Sequence, residues 1–151
     1  MNRGITAWGG VLLFAVACGG TSAGAEPVVP EPAAAPSPPP KVKIVNRPGA
    51  AVTMAQVLEP GRVTVVEFYA DWCGACKIIE RKVMTAIGDE PRVVLRKINI
   101  DDDTSPVARQ YDVGALPHVR IFDNKGKLAY VLVGNSATRA GPLAVELASR
   151  K

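Results

Sequence analysis

The chain has 151 residues, enough for one domain with appendages, and a formal net charge of +4 from 18 Lys and Arg against 14 Asp and Glu. No run of Lys or Arg exceeds two residues, so the small basic excess describes a solvated surface and implies no nucleic-acid partner. Three cysteines are an odd count, which partitions naturally into one pair, Cys73 and Cys76, and a singleton, Cys18.

In chain order, the first segment reads as an export signal over residues 1–17. Arg3 supplies the basic start, Val11 to Ala17 a dense apolar stretch, and small residues follow. The apolar run falls short of the ~20 residues of a membrane-spanning helix. Two cleavage points fit. "AVAC", Ala15 to Cys18, resembles a lipobox, in which Cys18 is lipidated and becomes the first mature residue, although Ala15 stands where Leu is usual. "AGA", Ala23 to Ala25, is an ordinary A-x-A site, and cutting after Ala25 would discard Cys18 and leave a soluble exported protein. Residues 18–40 form a tether: "PVVPEPAAAPSPPP" has seven prolines in 14 positions. Proline fixes φ and has no amide donor, so this stretch is expected to be an extended spacer of roughly 40 Å. A spacer serves best with one end fixed, which favours a lipid at Cys18 and a membrane-anchored, periplasmic or cell-surface location.

Residues 41–151 remain for a compact domain. "VKIV" (42–45) reads as a short strand and "TMAQVLE" (53–59) as a short helix capped by Thr53 and stopped by Pro60-Gly61. "VTVVEFY" (63–69) is a buried-type strand. The helix after it has apolar residues at 78, 79, 83, 86 and 87, with Gly88 as its stop. A strand (92–100), a helix capped by Ser105 with Pro106 at its first position, and strands at 118–122 and 127–133 joined by "DNKG" follow. A last helix begins at Pro142. The order β-α-β-α-β-α-β-β-α predicts an α/β fold with helices on both faces of the sheet.

Cys73 and Cys76 fall between the end of a strand and the start of a helix, where open α/β sheets place their chemistry. A helix N-terminus carries about half a positive charge and free N–H groups. Free cysteine titrates near 8.5, and such a position lowers that to about 7 or below. Cys73, at the helix tip and facing solvent, would attack a disulfide sulfur; Cys76, one turn in, would resolve the mixed disulfide. Two other readings are weaker. A zinc site needs four ligands, and the chain has one histidine and no second C-x-x-C. A structural staple closing so short a loop removes little chain entropy; under that reading the domain is a binding scaffold.

"VVEFYADWCGACK", "KINIDDD" and "YDVGALPHV" resemble the thioredoxin family in order and spacing, over about residues 60 to 135. "YADWC-x-ACK" is most similar to the C-terminal thioredoxin-like domain of the disulfide-interchange reductase DsbD. The resemblance implies a thioredoxin-like fold with a central mixed sheet of four to five strands. It also implies a thiol–disulfide oxidoreductase, with a reductase as our expectation. Trp72 looks like the tryptophan over the active site, Pro117 like the family's cis-proline, Leu116 like the residue whose backbone binds substrate, and Gly134 like the glycine lining the groove. Glu67 matches the buried acid, usually Asp, that would take a proton from Cys76; its other reading is a solvent-facing strand residue. Lys97 matches the lysine expected to partner it. His118 stands where Thr is common and reads as an ordinary strand residue pointing away from the site, the other reading being a role in tuning the thiolate or meeting a partner. Ala75 replaces the proline of the common C-G-P-C. The implied partners are protein disulfides and an upstream thiol donor, with no cofactor or metal beyond the dithiol, in a monomer.

Overall fold

The computed structural model describes residues 38–150. The expected signal peptide, Cys18 and most of the proline-rich tether lie outside the described residues. In chain order the elements are β1 (Val42–Ile44), α1 (Met54–Val57), β2 (Val63–Tyr69), α2 (Gly74–Ile87), β3 (Val93–Asn99), α3 (Pro106–Gln110), β4 (His118–Phe122), β5 (Leu128–Val133), a 3-10 turn (Gly134–Arg139) and α4 (Ala140–Ser149). They build one five-stranded sheet in the order β1-β3-β2-β4-β5. β1, β3 and β2 run parallel, and β4 is antiparallel to both its neighbours, β2 and β5.

Every residue of β2 and β3 is buried, which explains their near-continuous apolar sequence: a strand covered on both faces has no solvent side to make polar. Alternation along the strands divides the core in two. Val63, Val65, Leu95, Val119 and Ile121 meet Ile79, Val83 and Ile87 of α2 and the alanines of α4. Val66, Phe68, Ile98 and Phe122 meet Val57 of α1 and Val107 and Ala108 of α3. Each such side chain, fully buried, contributes about 1.5–3 kcal/mol. Helices α2 and α4 approach closely at Gly141, where a Cβ would stand 2.5 Å from that of Ala86. In this way α2, whose N-cap and first turn carry the cysteines, is held against both the sheet and α4.

Two expectations change. The last helix starts at Ala140 rather than Pro142, and a 3-10 turn precedes it. Pro142 is tolerated there because the first-turn amides have no intrahelical acceptor. Ile78, counted with the apolar face of α2, is among the exposed large hydrophobic residues; only 79, 83 and 87 of that set are buried. Gly88 is the C-cap of α2, as expected, in a right-handed conformation. At the sheet's β1 edge, Arg96 of β3 is buried, with its guanidinium 2.7 Å from Glu59 Oε2 and 3.0 Å from the Pro40 carbonyl. The last residue of the proline-rich segment is thus bonded to the domain. Among the described residues no helix is long and apolar enough to cross a membrane.

Candidate active site

β2 leaves the sheet at Tyr69, and the chain turns at once: the Cys73 amide donates to the Ala70 carbonyl at 3.0 Å. Cys73 is the N-cap of α2, in extended backbone, and its Sγ accepts from the Cys76 amide at 3.1 Å. The two cysteines are joined in a disulfide with Cα atoms 5.4 Å apart. A sulfur at this position receives one of the free N–H groups of the helix start and sits at its positive end. The expectation that Cys73 faces solvent is corrected for this oxidised state: Cys73 is 6% exposed and Cys76 2%. The Cys73 sulfur lies against the opening turn of the helix, and only a small part of the residue remains at the surface.

Around this bond the chain supplies a rim. Trp72 is 69% exposed, held by its indole N–H donating to the Asp101 carbonyl at 2.7 Å. It lines a hollow of about 250 Å³ with Ile100, Val113 and Leu116. The Leu116–Pro117 peptide is cis. The Pro117 carbonyl accepts from the Gly134 amide at 2.8 Å, and Gly134 has φ +60, a left-handed conformation that favours glycine. Pro117 and Gly134 line a second, more apolar hollow of about 360 Å³ with Ala75 and Ile78. The exposed Ile78 that departed from the helical core pattern therefore belongs to the groove. Sequence periodicity counted it as core because it adjoins Ile79.

Below the disulfide lies Glu67, 1% exposed, so its solvent-facing reading is excluded. Neither carboxyl oxygen has a hydrogen-bond partner. Burial, the largest influence, raises its pKa to about 8; the charge of Lys97 opposes this and that of Glu80 adds to it. Glu67 and Cys76 line the same cavity of about 220 Å³. Lys97 faces Glu67 in register across β2 and β3. The expected direct partnership is nevertheless corrected: the Lys97 ammonium lies 2.8 Å from Glu80 Oε2 and 4.1 Å from the centre of the Tyr69 ring. Its long stem carries the charge past Glu67 to a carboxylate that keeps water contact, where desolvation costs less. Sequence reading missed Glu80 and Tyr69. The signal was present: Glu80 follows Cys76 by four residues, which places both on one face of α2.

His118 is buried, edge-on to Phe68 with ring centres 5.4 Å apart, and its Nε2 accepts from Arg120 Nε at 3.3 Å. Burial, then the Arg120 charge, holds its imidazole below its ordinary pKa. Among the described residues no group of three or more His, Cys, Asp or Glu side chains is placed to hold a metal ion.

The thioredoxin family profile matches residues 51–140. Thioredoxin-T of Drosophila melanogaster is 32% identical over 88 residues, covering 58% of this chain and 55% of that protein. Protein disulfide isomerase-like 1-1 of Arabidopsis thaliana is 43% identical over 68 residues, covering 42% of this chain and 14% of that protein. The chain thus spans about half of the first relative and a small part of the second. A mutant thioredoxin from Halobacterium salinarum superposes with a TM-score of 0.58 at 23% identity, covering 74% of this chain and 94% of that one, a likeness of fold.

Proposed function

This chain is a member of the thioredoxin family, and on that premise we propose that it is a thiol–disulfide oxidoreductase acting on protein disulfides, as a reductase, outside the cytoplasm. The observation that carries the proposal is the Cys73–Cys76 disulfide at the N-cap of α2, beside a buried, partnerless carboxyl and flanked by two hollows, the second mainly apolar. A staple needs none of those surroundings.

In the reduced protein, the Cys73 thiolate attacks one sulfur of a substrate disulfide. A Cys73–substrate bond forms, the substrate S–S bond breaks, and one substrate thiolate leaves. The Cys76 thiol then gives its proton to the Glu67 carboxylate and attacks Cys73 Sγ. The internal disulfide forms and the second substrate thiolate leaves. Two electrons pass from the dithiol to the substrate, and an upstream thiol donor returns them. Burial lifts the Glu67 carboxyl to about 8, which makes its carboxylate a far better proton acceptor than an exposed one. Leu116, Pro117, Trp72 and Gly134 border the two hollows and are our candidates for binding the substrate segment. Lys97 acts on the charge of Glu67. The export signal, the tether and a lipid at Cys18 complete the proposal; replacing Cys18 by Ser should release the protein from membranes on fractionation, and unchanged retention would rule out the lipid.

The test is insulin reduction by dithiothreitol with the purified full chain. Wild type should accelerate it and Cys73→Ser should not; equal rates would reject the activity and favour the scaffold reading. Direction is read from the equilibrium potential in glutathione buffers: about −270 mV supports a reductant, and about −120 mV an oxidant.

A further inference from the structure

Glu67 and Lys97 are cross-strand neighbours, and a buried carboxyl facing a lysine ordinarily takes it as counter-ion. Here it does not. The ammonium is held by Glu80 at 2.8 Å and by the Tyr69 ring at 4.1 Å, while both Glu67 oxygens stay without a partner. The exposures of the two side chains explain the choice. Glu80 is 32% exposed and Lys97 10%, so their pair keeps part of its hydration, whereas a pair with Glu67 would be enclosed. Glu80 is also fixed relative to the second sulfur, one helical turn along α2 from Cys76.

We propose that Glu80 is a positioning residue for disulfide exchange: by holding the Lys97 ammonium against itself and Tyr69, it withholds the counter-ion from Glu67 and so strengthens that carboxylate as the acceptor of the Cys76 proton. The inference rests on the thiol–disulfide reading above and adds a residue to it. The charged and titratable groups around Glu67 are Lys97 from β3, Lys77, Glu80 and Cys76 from α2, Tyr69 from β2 itself and Asp71 from the turn. Removing the Glu80 charge has two effects of one sign. A like charge is lost, and Lys97 becomes free to swing to Glu67.

The experiment follows the Glu67 carboxyl by carbon-detected NMR titration in the oxidised full chain, with Glu67→Gln identifying the resonance. In Glu80→Gln the midpoint should fall by about one pH unit or more, as for an acid gaining a cation within a few ångströms. Adding Lys97→Met should reverse the fall, and Lys97→Met alone should raise the midpoint above wild type. An unchanged midpoint in Glu80→Gln overturns the proposal. A fall that persists in the double variant also overturns it, since Lys97 is then not the agent. The readout needs no substrate and no turnover. A protein inactive on insulin would sink the functional reading without touching this measurement, and an active protein with an unmoved midpoint would sink only the role of Glu80.

Discussion

Replacing Glu67 by Gln removes one titrating carboxyl and nearly preserves its shape, so the stability difference between the two proteins isolates a single proton. Burial lifts Glu67 in the folded protein from 4.5 to about 8. Between those values the folded state binds a proton that the unfolded state has released. The stabilisation is therefore complete below 4.5 and is lost progressively as pH rises through about 8. At about 1.4 kcal/mol per pH unit, that interval integrates to about 5 kcal/mol, of which about 3 kcal/mol is gone by pH 7. Urea unfolding of both oxidised proteins, without reductant and at a series of pH values from 5 to 9, measures this directly. The wild type should fall behind Glu67→Gln by several kcal/mol across the series, with other titrations cancelling in the difference. A gap that stays constant with pH would mean that Glu67 ionises in the folded protein near its ordinary value. That result would refute the placing of a proton beneath Cys76.

Cys76→Ser should leave the first attack intact and block the second, so a Cys73–substrate mixed disulfide should accumulate and be recovered by non-reducing mass spectrometry. Gly141→Ala should cost about 1–3 kcal/mol in urea unfolding, because its Cβ would meet Ala86 at 2.5 Å and force α2 from α4. Arg96→Met should destabilise by about 2–3 kcal/mol, since it breaks a buried guanidinium's bonds to Glu59 and to the Pro40 carbonyl; limited proteolysis near Pro40 should quicken in parallel. His118→Gln should resist acid better than wild type: the folded imidazole is held below its ordinary 6.5, so the wild type loses stability as pH falls below that value, and parallel acid-unfolding curves would reject this.

Elements, order and the cysteine pair were legible in the chain. β2 and β3 are rich in β-branched and other apolar residues because both faces are covered, and that shows in the sequence despite Glu67, Arg96 and Lys97 within them. Ser105 and Pro106 announced α3, and Ser105 Oγ does accept from the Ala108 amide at 3.3 Å. The position of Cys73 as a helix N-cap followed from a strand ending in Tyr69 and an amphipathic run beginning after it. These features are local: propensity, capping and alternation act between residues a few positions apart. The sequence by itself therefore determined an α/β chain with a cysteine pair at a strand–helix junction.

It did not decide where charges and surfaces meet. Nothing local says that Lys97 turns from Glu67, opposite it in register, to Glu80 on a helix, or that Ile78 leaves the core face of α2 for a groove shared with Pro117 and Gly134. The 3-10 turn before α4 was likewise invisible, since its backbone is set by the Val133 exit from the sheet and by packing of Ala137 into the core. Desolvation and counter-ion choice depend on what lies within a few ångströms in space, at any separation along the chain. Tertiary packing alone decides them, and with them the environment in which Cys76 holds or releases its proton.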